Sequence, residues 1–380
     1  MVLTTFYLPT RIIFGPGSFT WLGTEASRLG RKAILVSGRS SLRKTGVLDR
    51  AVHDLEDKGV EALIYDRIEP NPRASTVDEG ARLAREAGTD LVIGLGGGSA
   101  MDAAKGITLA STGTYPIWHY IETEVEVKGQ LPKLILVPTV AASGSEANNG
   151  AVITNWGTHE KCVLSSPNTY PKVSIVDPEL TLTLPAKPTL QGGVDIFCHL
   201  VEPYITADNP APLTDGIVEA TLRLVVDYLP RALAKLEDIN ARTQLSWAST
   251  IACSAFTSLG GGDGAMTLHG IEHPLSGYYD IAHGGGLAAL LPAWMKYTYP
   301  VRKERFGALG RNVFGQPDGI KATENWLEKI GMKLKLRELG IEPERIREMA
   351  DNAVKTAPWL KIHPRRLNAE AVAQIYLDSY

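Results

Sequence analysis

The sequence predicts two domains: an α/β domain built on a doubly wound parallel sheet, followed by an all-helical domain. In roughly the first 180 residues, short runs rich in β-branched residues alternate with amphipathic segments, which is typical of a parallel sheet covered by helices. After Asp177-Pro178 the β-branched runs stop and long helical patterns follow. A three-glycine turn, Gly96-Gly97-Gly98, separates one predicted strand from the next predicted helix. We therefore expect domains at residues 1–180 and 181–380.

The predicted elements of the first domain follow one another at short intervals, as repeated strand-helix units require. Amphipathic helical patterns lie at 46–58, 75–87 and 99–111. The predicted strands are Ala33–Ser37, Ala62–Tyr65, Leu91–Leu95, Leu134–Val137 and Val173–Val176.

The second domain carries patterns of helical period that are longer than those of the first. No β-branched alternation interrupts them, so we expect helices throughout this half. The clearest patterns lie at 188–206, 212–236, 238–258, 318–340 and 367–378.

Composition excludes several classes of partner. The chain has 44% hydrophobic and 21% charged residues, as globular proteins do. A net charge of −3 provides no basic face for nucleic acid or an anionic membrane. The amino-terminal residues do not resemble a signal peptide, and no stretch reaches the roughly 20 apolar residues of a membrane helix. The three cysteines are widely spaced and lack a CxxC pair, which favours a reducing, cytoplasmic compartment.

The glycine turn has the composition of an anion-binding site. Predicted strand Leu91–Leu95 leads through Gly96-Gly97-Gly98-Ser99 into a helical run. Unpaired backbone N–H groups and the positive end of the helix dipole suit a pyrophosphate, and a Cβ in the turn would hold the phosphate away. A tight turn that binds no ligand would also use glycine, so the dinucleotide hypothesis needs support from elsewhere in the chain.

A second loop of small residues, Pro138–Glu146, follows another predicted strand. Thr139, Ser143 and Ser145 could contact a ligand there, although an ordinary polar connection is about as consistent with the sequence. Lys161, in a short apolar strand, could face a ribose or a phosphate, but a lone lysine is usually only solvated.

Histidines and a carboxylate in the second domain have the spacing of metal ligands. Asp195 and His199 are four residues apart, as are His269 and His273, so each pair shares one face of a helix. His283 follows shortly afterwards. Imidazole and carboxylate without thiolate suit Fe(II) or Zn(II) rather than Mg or Ca. Spacing alone leaves five candidates for about four positions.

The chain resembles the iron-dependent (group III) alcohol dehydrogenase family, in particular its butanol-dehydrogenase-like branch, along nearly its whole length. The most specific stretch is His269-Gly270-Ile271-Glu272-His273-Pro274-Leu275-Ser276-Gly277, followed by His283-Gly284. The other matching segments are Phe6–Gly15, Pro70-Asn71-Pro72, Gly96-Gly97-Gly98-Ser99 with Asp102, Pro138-Thr139, Ser143–Glu146, Lys161, and Asp195 with His199.

The resemblance implies a dehydroquinate-synthase-like two-domain plan and gives the candidate residues specific roles. Asp195, His199, His269 and His283 would bind iron, with zinc as the alternative, and His273 would be a catalytic, unliganded histidine beside the nicotinamide. The candidate cofactor-binding residues are Asn71, Gly97, Gly98, Ser99, Asp102, Thr139, Ser143, Asn148 and Lys161.

Cofactor choice depends on the residues that follow the second strand. A carboxylate there binds the free 2′-hydroxyl of NAD, whereas a small or basic group accommodates the 2′-phosphate of NADP. NAD-selective relatives carry an aspartate at this position, and this chain has Gly38, followed by Arg39 and Ser40. We therefore expect NADP(H) to be preferred, with NAD(H) as the alternative.

These observations predict a metal-dependent alcohol dehydrogenase or aldehyde reductase acting on a small alcohol or aldehyde, either as a homodimer or as a larger homo-oligomer. A glycine-rich insert, Gly260–Gly264, lengthens this region relative to shorter family members, so the resemblance does not determine the identity of the substrate. One alternative is a phosphopolyol dehydrogenase or a dehydroquinate-synthase-like lyase, which would need cations near the metal. Another is a non-catalytic metal- or nucleotide-binding module. The cations within 190–290 are Arg223, Arg231, Lys235 and Arg242, remote from the histidines in sequence.

Overall fold

The computed structural model describes residues 5–111, 113, 115–123, 127, 130–209, 211–259 and 264–380. The chain divides into two compact units, Leu8–Leu184 and Pro185–Tyr380, and residues 5–7 group with the second unit. In that unit the ring centroids of Phe6 and Phe256 lie 5.5 Å apart. The first unit ends at Leu184, close to the domain boundary at residue 180, which stays a prediction. Across the described residues, no helix has both the length and the apolar character to span a membrane.

The first unit contains a parallel sheet. The strands in its described residues are β1 Arg11–Phe14, β2 Lys32–Gly38, β3 Glu61–Ile68, β4 Leu91–Gly96, β5 Lys133–Pro138, β6 Gly150–Asn155, β7 Glu160–Ser165 and β8 Val173–Val176. Six of them lie in the order β1-β8-β5-β4-β2-β3, and every neighbouring pair is parallel. Strands β6 and β7 form a separate antiparallel hairpin.

Helices cover both faces of this sheet, so the predicted doubly wound arrangement is confirmed. Ile34 and Val36 of β2 pack on one face in a core shared with Met101. Ala33 and Leu35, whose side chains alternate with them, pack on the other face. The helices of this unit are α1 Leu22–Leu29, α2 Ser41–Lys44, α3 Val47–Asp57, α4 Ala74–Ala87, α5 Gly98–Ala110 and α6 Ile117–Glu122.

All five strands in the predicted series are present, and the short strand expected around Lys161 is β7. The prediction missed β1 and β6. Strand β1 has only four residues, none of them fully buried, so it lacks the continuous apolar run of a central parallel strand. Strand β6 belongs to the separate hairpin, whose pairing is independent of the main sheet.

The second unit is helical, as predicted, and its described residues contain no strand. Two helices end earlier than predicted. The helix predicted at 318–340 has Lys329 as its last residue, just before Gly331, whose φ is 75°. The helix predicted at 238–258 has Ala252 as its last residue. The helices are α7 Ala186–Thr206, α8 Pro212–Ala234, α9 Ile239–Ala252, α10 Thr267–Tyr279, α11 His283–Leu309, α12 Gly319–Lys329, α13 Ile346–Thr356 and α14 Ala369–Asp378.

Candidate functional site

A cluster of buried ligand atoms lies in the helical unit. Asp195 and His199 are one turn apart on α7, and His269 lies near the start of α10. The three side chains offer ligand atoms that lie within 4.8 Å of one another. Asp195 Oδ1 is 3.5 Å from His199 Nδ1 and 3.4 Å from His269 Nε2. The helical spacing therefore brings donors from two helices to one point.

The first residue of α11 extends this cluster. His283 Nε2 lies 3.8 Å from Asp195 Oδ1, and its ring centroid is 5.1 Å from that of His269. His273, one turn beyond His269 on α10, is buried, with its ring centroid 5.9 Å from that of His283. Three imidazoles thus surround one carboxylate, and a fourth lies beside them.

Two fully buried carboxylates orient the histidine rings. Glu202 Oε1 lies 2.5 Å from His269 Nδ1, and Glu202 Oε2 accepts a hydrogen bond from the His269 backbone N–H at 3.1 Å. Glu272 Oε2 pairs with His283 Nδ1, and Glu272 Oε1 accepts the hydroxyl of Ser276 at 2.6 Å. A carboxylate on one ring nitrogen fixes the orientation and tautomer of the ring and makes the other nitrogen a better metal ligand.

The pKa values show how strongly these charges interact. Burial disfavours the charged form of Asp195, but the adjacent histidines outweigh it and hold the pKa of this carboxyl well below its usual range. Burial also opposes protonation of His269, yet Glu202 and Asp195 raise its pKa to about 10. Asp195 likewise raises the pKa of His199 against the effect of burial. The buried carboxylates therefore favour positive charge at this point.

A divalent cation fits this set of donors. The Nδ1 atom of His199 is buried and makes no hydrogen bond with any of the residues that the structure describes. Three imidazoles and one carboxylate suit Fe(II) or Zn(II), and a bound cation would supply the charge that the carboxylates favour. Cys198 is fully buried but is not a member of the cluster, as expected for a neighbour that points about 100° away on the helix.

The glycine turn of the α/β unit lies between β4 and α5, as predicted. Gly97 precedes α5 in an extended conformation, and no side chain caps the helix. The second small-residue loop lies directly against this turn: the N–H of Thr139 donates to Gly96 O at 2.9 Å. A Cβ built on Gly98 would lie 2.8 Å from Ser143 Oγ. The two loops form one surface of backbone and small side chains.

Buried polar contacts hold the second loop onto α5. Both oxygens of Asp102 are engaged: Oδ1 accepts the Ser145 hydroxyl at 2.7 Å, and Oδ2 accepts the backbone N–H of Val152 at 2.9 Å. The ammonium group of Lys105 donates to Ser145 O, Asn148 Oδ1 and Gly150 O at 2.7, 3.0 and 2.6 Å. Asp102 and Asn148, two of the predicted cofactor-binding residues, thus take part in positioning the loop.

Two further predicted cofactor-binding residues meet in the same unit. Lys161 of β7 is buried and donates to Asn71 Oδ1 at 3.0 Å. Asn71 is buried too and has a φ of 50°, in the left-handed region that few residues other than glycine adopt. The sequence left open whether Lys161 is an ordinary solvated lysine. Its burial shows that it is not.

The residues predicted to select the cofactor lie at the carboxyl end of β2. Gly38 is the last residue of β2, and Ser40 precedes the short helix α2. Arg39 donates from Nε to Arg67 O at 3.2 Å and pairs through Nη2 with Glu69 Oε2 at 3.3 Å, while 69% of its side chain stays exposed.

Comparison with known proteins relates both units to one group of enzymes. The family described as "Iron-containing alcohol dehydrogenase" matches residues 9–178, and the family described as "Fe-containing alcohol dehydrogenase family, C-terminal" matches residues 189–380. The chain belongs to the iron-containing alcohol dehydrogenase family. It is a metal-dependent alcohol dehydrogenase, and the predicted butanol-dehydrogenase-like branch is confirmed.

Similar proteins align over at least 98% of both chains. The chain is 35% identical to NADH-dependent butanol dehydrogenase A of Clostridium acetobutylicum, with 100% of both chains covered. It is 32% identical to 1,3-propanediol dehydrogenase of Klebsiella pneumoniae, covering 99% of this chain and 98% of that one. The crystal structure of NADH-dependent butanol dehydrogenase A from Thermotoga maritima has 34% identity and a TM-score of 0.92, covering 99% of this chain and 98% of that chain.

Three of the four cations within residues 190–290 contact residues that are not candidate metal ligands. Arg223 donates to Asn312 O at 2.6 Å, Arg242 donates to Thr189 Oγ1 at 2.7 Å, and Arg231 lies over the ring of Tyr228. These three contacts give no support to the lyase alternative, which would need cations near the metal. The glycine-rich insert lies outside the described residues, apart from Gly264.

Sequence reasoning missed Glu202, Glu272 and Glu69. Glu202 follows His199 by three residues, and Glu272 follows His269 by three. That spacing was available as a signal, since residues three apart lie on neighbouring faces of a helix. The partner of each glutamate nevertheless lies elsewhere in the chain. Glu69 gives no comparable local signal, because Arg39 is thirty residues away.

Proposed function

We propose that this iron-containing alcohol dehydrogenase family member interconverts a small alcohol and its aldehyde with NADP(H) as the preferred cofactor. The observation that carries the proposal is the convergence of three imidazoles on the buried carboxylate of Asp195. When bound, a divalent iron supplies Lewis acidity at the substrate oxygen, and the dinucleotide supplies or accepts the hydride.

The residues of the helical unit have distinct roles in this proposal. Asp195, His199, His269 and His283 would hold the metal. Glu202 and Glu272 would keep the rings of His269 and His283 oriented through their Nδ1 atoms. His273 would move a proton to or from the reacting hydroxyl, because it is buried one turn from His269 and its ring lies beside that of His283.

The α/β unit would hold the dinucleotide mainly through its backbone. The turn at Gly97, Gly98 and Ser99 offers N–H groups at the start of α5, which suits a pyrophosphate. Thr139 and Ser143 lie against this turn, and Asp102 and Asn148 would keep their loop in place. Lys161 and Asn71 would contact the dinucleotide as a pair, because their hydrogen bond holds the two side chains together.

The preference for NADP(H) rests on the end of β2. The relatives from Clostridium acetobutylicum and Thermotoga maritima are named NADH-dependent, so NAD(H) is the cofactor that the comparison alone would favour. In this chain, however, Gly38 provides no carboxylate, and Arg39 exposes most of a side chain that can bind phosphate through paired hydrogen bonds.

Gly38→Asp tests this preference. A Cβ at Gly38 would lie 3.7 Å from Ile68 O, an ordinary contact, so the substitution adds no close contact at the Cβ. The new carboxylate would repel a dianionic 2′-phosphate and move the ratio of kcat/KM values toward NADH. Equal use of NADH and NADPH by the unmodified enzyme, or an unchanged ratio in the variant, would contradict the preference.

The substrate class follows from the names of the relatives, butanol and 1,3-propanediol dehydrogenases. We propose a short aliphatic alcohol or aldehyde. Protein purified without oxygen would be stripped of metal, reconstituted separately with Fe(II) and Zn(II), and assayed for metal content and for NADPH oxidation with butyraldehyde. Metal bound at one ion per chain with aldehyde-dependent oxidation is expected. Full activity in the stripped protein would refute the metal-dependent mechanism.

A further inference from the structure

We propose that Glu69 is a positioning residue that sets how strongly this enzyme distinguishes a 2′-phosphate from a free 2′-hydroxyl, acting through its ion pair with Arg39. The inference rests on the proposed function, because it takes the adenosine ribose to lie at the carboxyl end of β2. It goes further by assigning a role to a carboxylate on the neighbouring strand.

The sheet register places this carboxylate beside the position that selects the cofactor. Gly38, the last residue of β2, pairs with Ile68, the last residue of β3. Glu69 follows Ile68 directly, and only 10% of its side chain is exposed. An acidic group therefore lies one strand away from Gly38, although the β2 position itself has no side chain.

Both oxygens of Glu69 are held in place. Oε1 accepts the backbone N–H of Arg73 at 3.0 Å and the hydroxyl of Thr76 at 2.8 Å. Oε2 lies 3.3 Å from Arg39 Nη2. The carboxylate is thus fixed by α4 and by the turn before it, and Arg39 is the partner whose loss would leave its charge uncompensated.

Arg39 keeps donors for a ligand while it pairs with Glu69. Its guanidinium has five N–H donors, and the two contacts to Arg67 O and Glu69 use two of them. Because the side chain is 69% exposed, the remaining donors can reach solvent or a bound anion. Glu69 would fix the guanidinium in one orientation, which lowers the entropic cost of binding a phosphate.

The same pair has a second electrostatic consequence. A fixed carboxylate near the ribose would accept a 2′-hydroxyl and repel a 2′-phosphate. With Arg39 in place that charge is compensated, and without Arg39 it faces the ligand. Arg39→Ala should therefore lose phosphate affinity for two reasons: loss of donors and exposure of Glu69. The second loss depends on Glu69, so the effects of the two residues should not be additive.

Glu69→Gln separates charge from structure. The amide oxygen of glutamine can still accept from Arg73 and Thr76, so the turn should keep its hydrogen bonds while the negative charge disappears. Arg67→Ala is the matched control. It removes a nearby arginine that pairs with Glu79 instead, and it leaves the backbone carbonyl that Arg39 contacts.

The test measures binding of two cofactor fragments, 2′,5′-ADP and 5′-AMP, to the metal-reconstituted enzyme by calorimetry. The proteins are the wild type, R39A, E69Q, the double variant and R67A, each checked for thermal unfolding and metal content. We expect R39A to weaken 2′,5′-ADP binding by about 10- to 100-fold, as loss of charge-assisted hydrogen bonds does. The double variant should recover about three- to tenfold of that loss, because the repulsion is gone. Binding of both fragments to R67A should stay within about twofold of wild type.

The outcomes separate the two proposals. If the wild type binds both fragments equally and R39A changes nothing, the NADP(H) preference fails, and the Glu69 role fails with it. If the wild type prefers 2′,5′-ADP and R39A abolishes the preference, but E69Q has no effect with either arginine or alanine at position 39, only the Glu69 role fails. If E69Q does not fold, raising the salt concentration replaces it: in R39A, screening should strengthen 2′,5′-ADP binding relative to 5′-AMP, and an unchanged or falling ratio overturns the proposal.

Discussion

The metal cluster and the nucleotide loops of this enzyme are built in opposite ways. In the helical unit, side chains from α7, α10 and the start of α11 bring ligand atoms to one point. In the α/β unit, the polar side chains nearest the glycine turn mostly contact one another, as Asp102 does with Ser145. The groups that remain to contact a ligand are therefore mainly backbone N–H groups of the glycine turn.

This difference predicts two kinds of sensitivity. A site made of side-chain atoms should fail when one of them is removed. A site made of backbone shape should tolerate the loss of many surface atoms but fail when an atom is added to the turn or when the buried contacts that hold the loops are broken. Five predictions test this contrast, from the largest expected effect to the smallest.

Alanine at Asp195, His199, His269 or His283 should have the largest effect. Each substitution removes one donor from the cluster, so we expect metal content to fall to background and turnover to fall by more than about 10³-fold. This loss exceeds the 10- to 100-fold typical of residues that contact a metal ligand rather than the metal. Metal analysis and aldehyde reduction measure both. His363→Ala is the control: this buried histidine of the same unit, whose pKa burial lowers to about 4, contacts Thr298 instead. A ligand variant with full metal and full activity would remove that residue from the set.

His273→Ala should retain metal and lose turnover. A histidine that moves a proton typically contributes about 10²–10⁴-fold to rate, and the pH profile of kcat should change as well. The measurement pairs metal content with steady-state kinetics between pH 5 and 10. Loss of the metal from this variant would make His273 a ligand, and its proton-transfer role would have to pass to another group.

Lys105→Met tests the buried contacts behind the nucleotide loops. The ammonium group is fully buried and donates to three oxygens, so its removal leaves those acceptors without this donor. It also takes away a cation that favours the charged form of the buried Asp102 carboxyl and lowers its pKa against the effect of burial. We expect a loss of about 3–5 kcal/mol in the free energy of unfolding, with weaker NADPH binding. Lys172→Met, at an exposed position, is the control. A variant of unchanged stability would show that the loop does not depend on this cation.

Glutamine at Glu202 or Glu272 should weaken the metal site without removing a ligand. The carboxylate charge that orients His269 or His283 would be lost, while most of the side-chain volume would stay. Groups in this position typically contribute 10- to 100-fold to metal affinity. Competition with a chelator measures the change. If both variants retain metal against the chelator as well as the wild type does, these glutamates do not contribute to metal affinity.

Gly98→Ala should have the smallest effect, and it adds an atom to the site, whereas the other substitutions remove functional groups. The added Cβ would lie 2.8 Å from Ser143 Oγ and 3.0 Å from its Cβ, so the two loops must move apart by a few tenths of an ångström. We expect about tenfold weaker dinucleotide binding, which corresponds to about 1.4 kcal/mol, with metal content unchanged. Gly216→Ala, which meets nothing within 4 Å, is the control. Fluorescence titration with NADPH measures the affinity. Equal affinities of the variant and the wild type would show that the turn accommodates the added Cβ.

Much of the fold was predictable because local patterns carry it. Alternating β-branched and amphipathic segments predicted the parallel sheet, and the five strands of that series are all present. The spacing of Asp195 to His199 placed both on one helical face, and the structure brings their ligand atoms within the same cluster. The glycine turn was predicted between a strand and a helix, where it lies.

Other features were not predictable from local pattern. Strand β1 pairs with β8, at the other end of the unit in sequence, and its four residues show no strong periodicity. Spacing left His269, His273 and His283 as equal candidates, and only the family resemblance separated them. The overlong pattern at 318–340 continued because nothing in its periodicity marked the break near Gly331.

The sequence by itself determined the order of the two domains, the helical spacing of the metal-binding candidates and the glycine turn, because each depends on residues within a turn or two of one another. The tertiary structure alone decided which distant groups meet: Glu202 with His269, Lys161 with Asn71, and Arg39 with Glu69. Periodicity fixes which face of an element a residue occupies, whereas the partner opposite that face depends on how helices and strands pack across tens of residues.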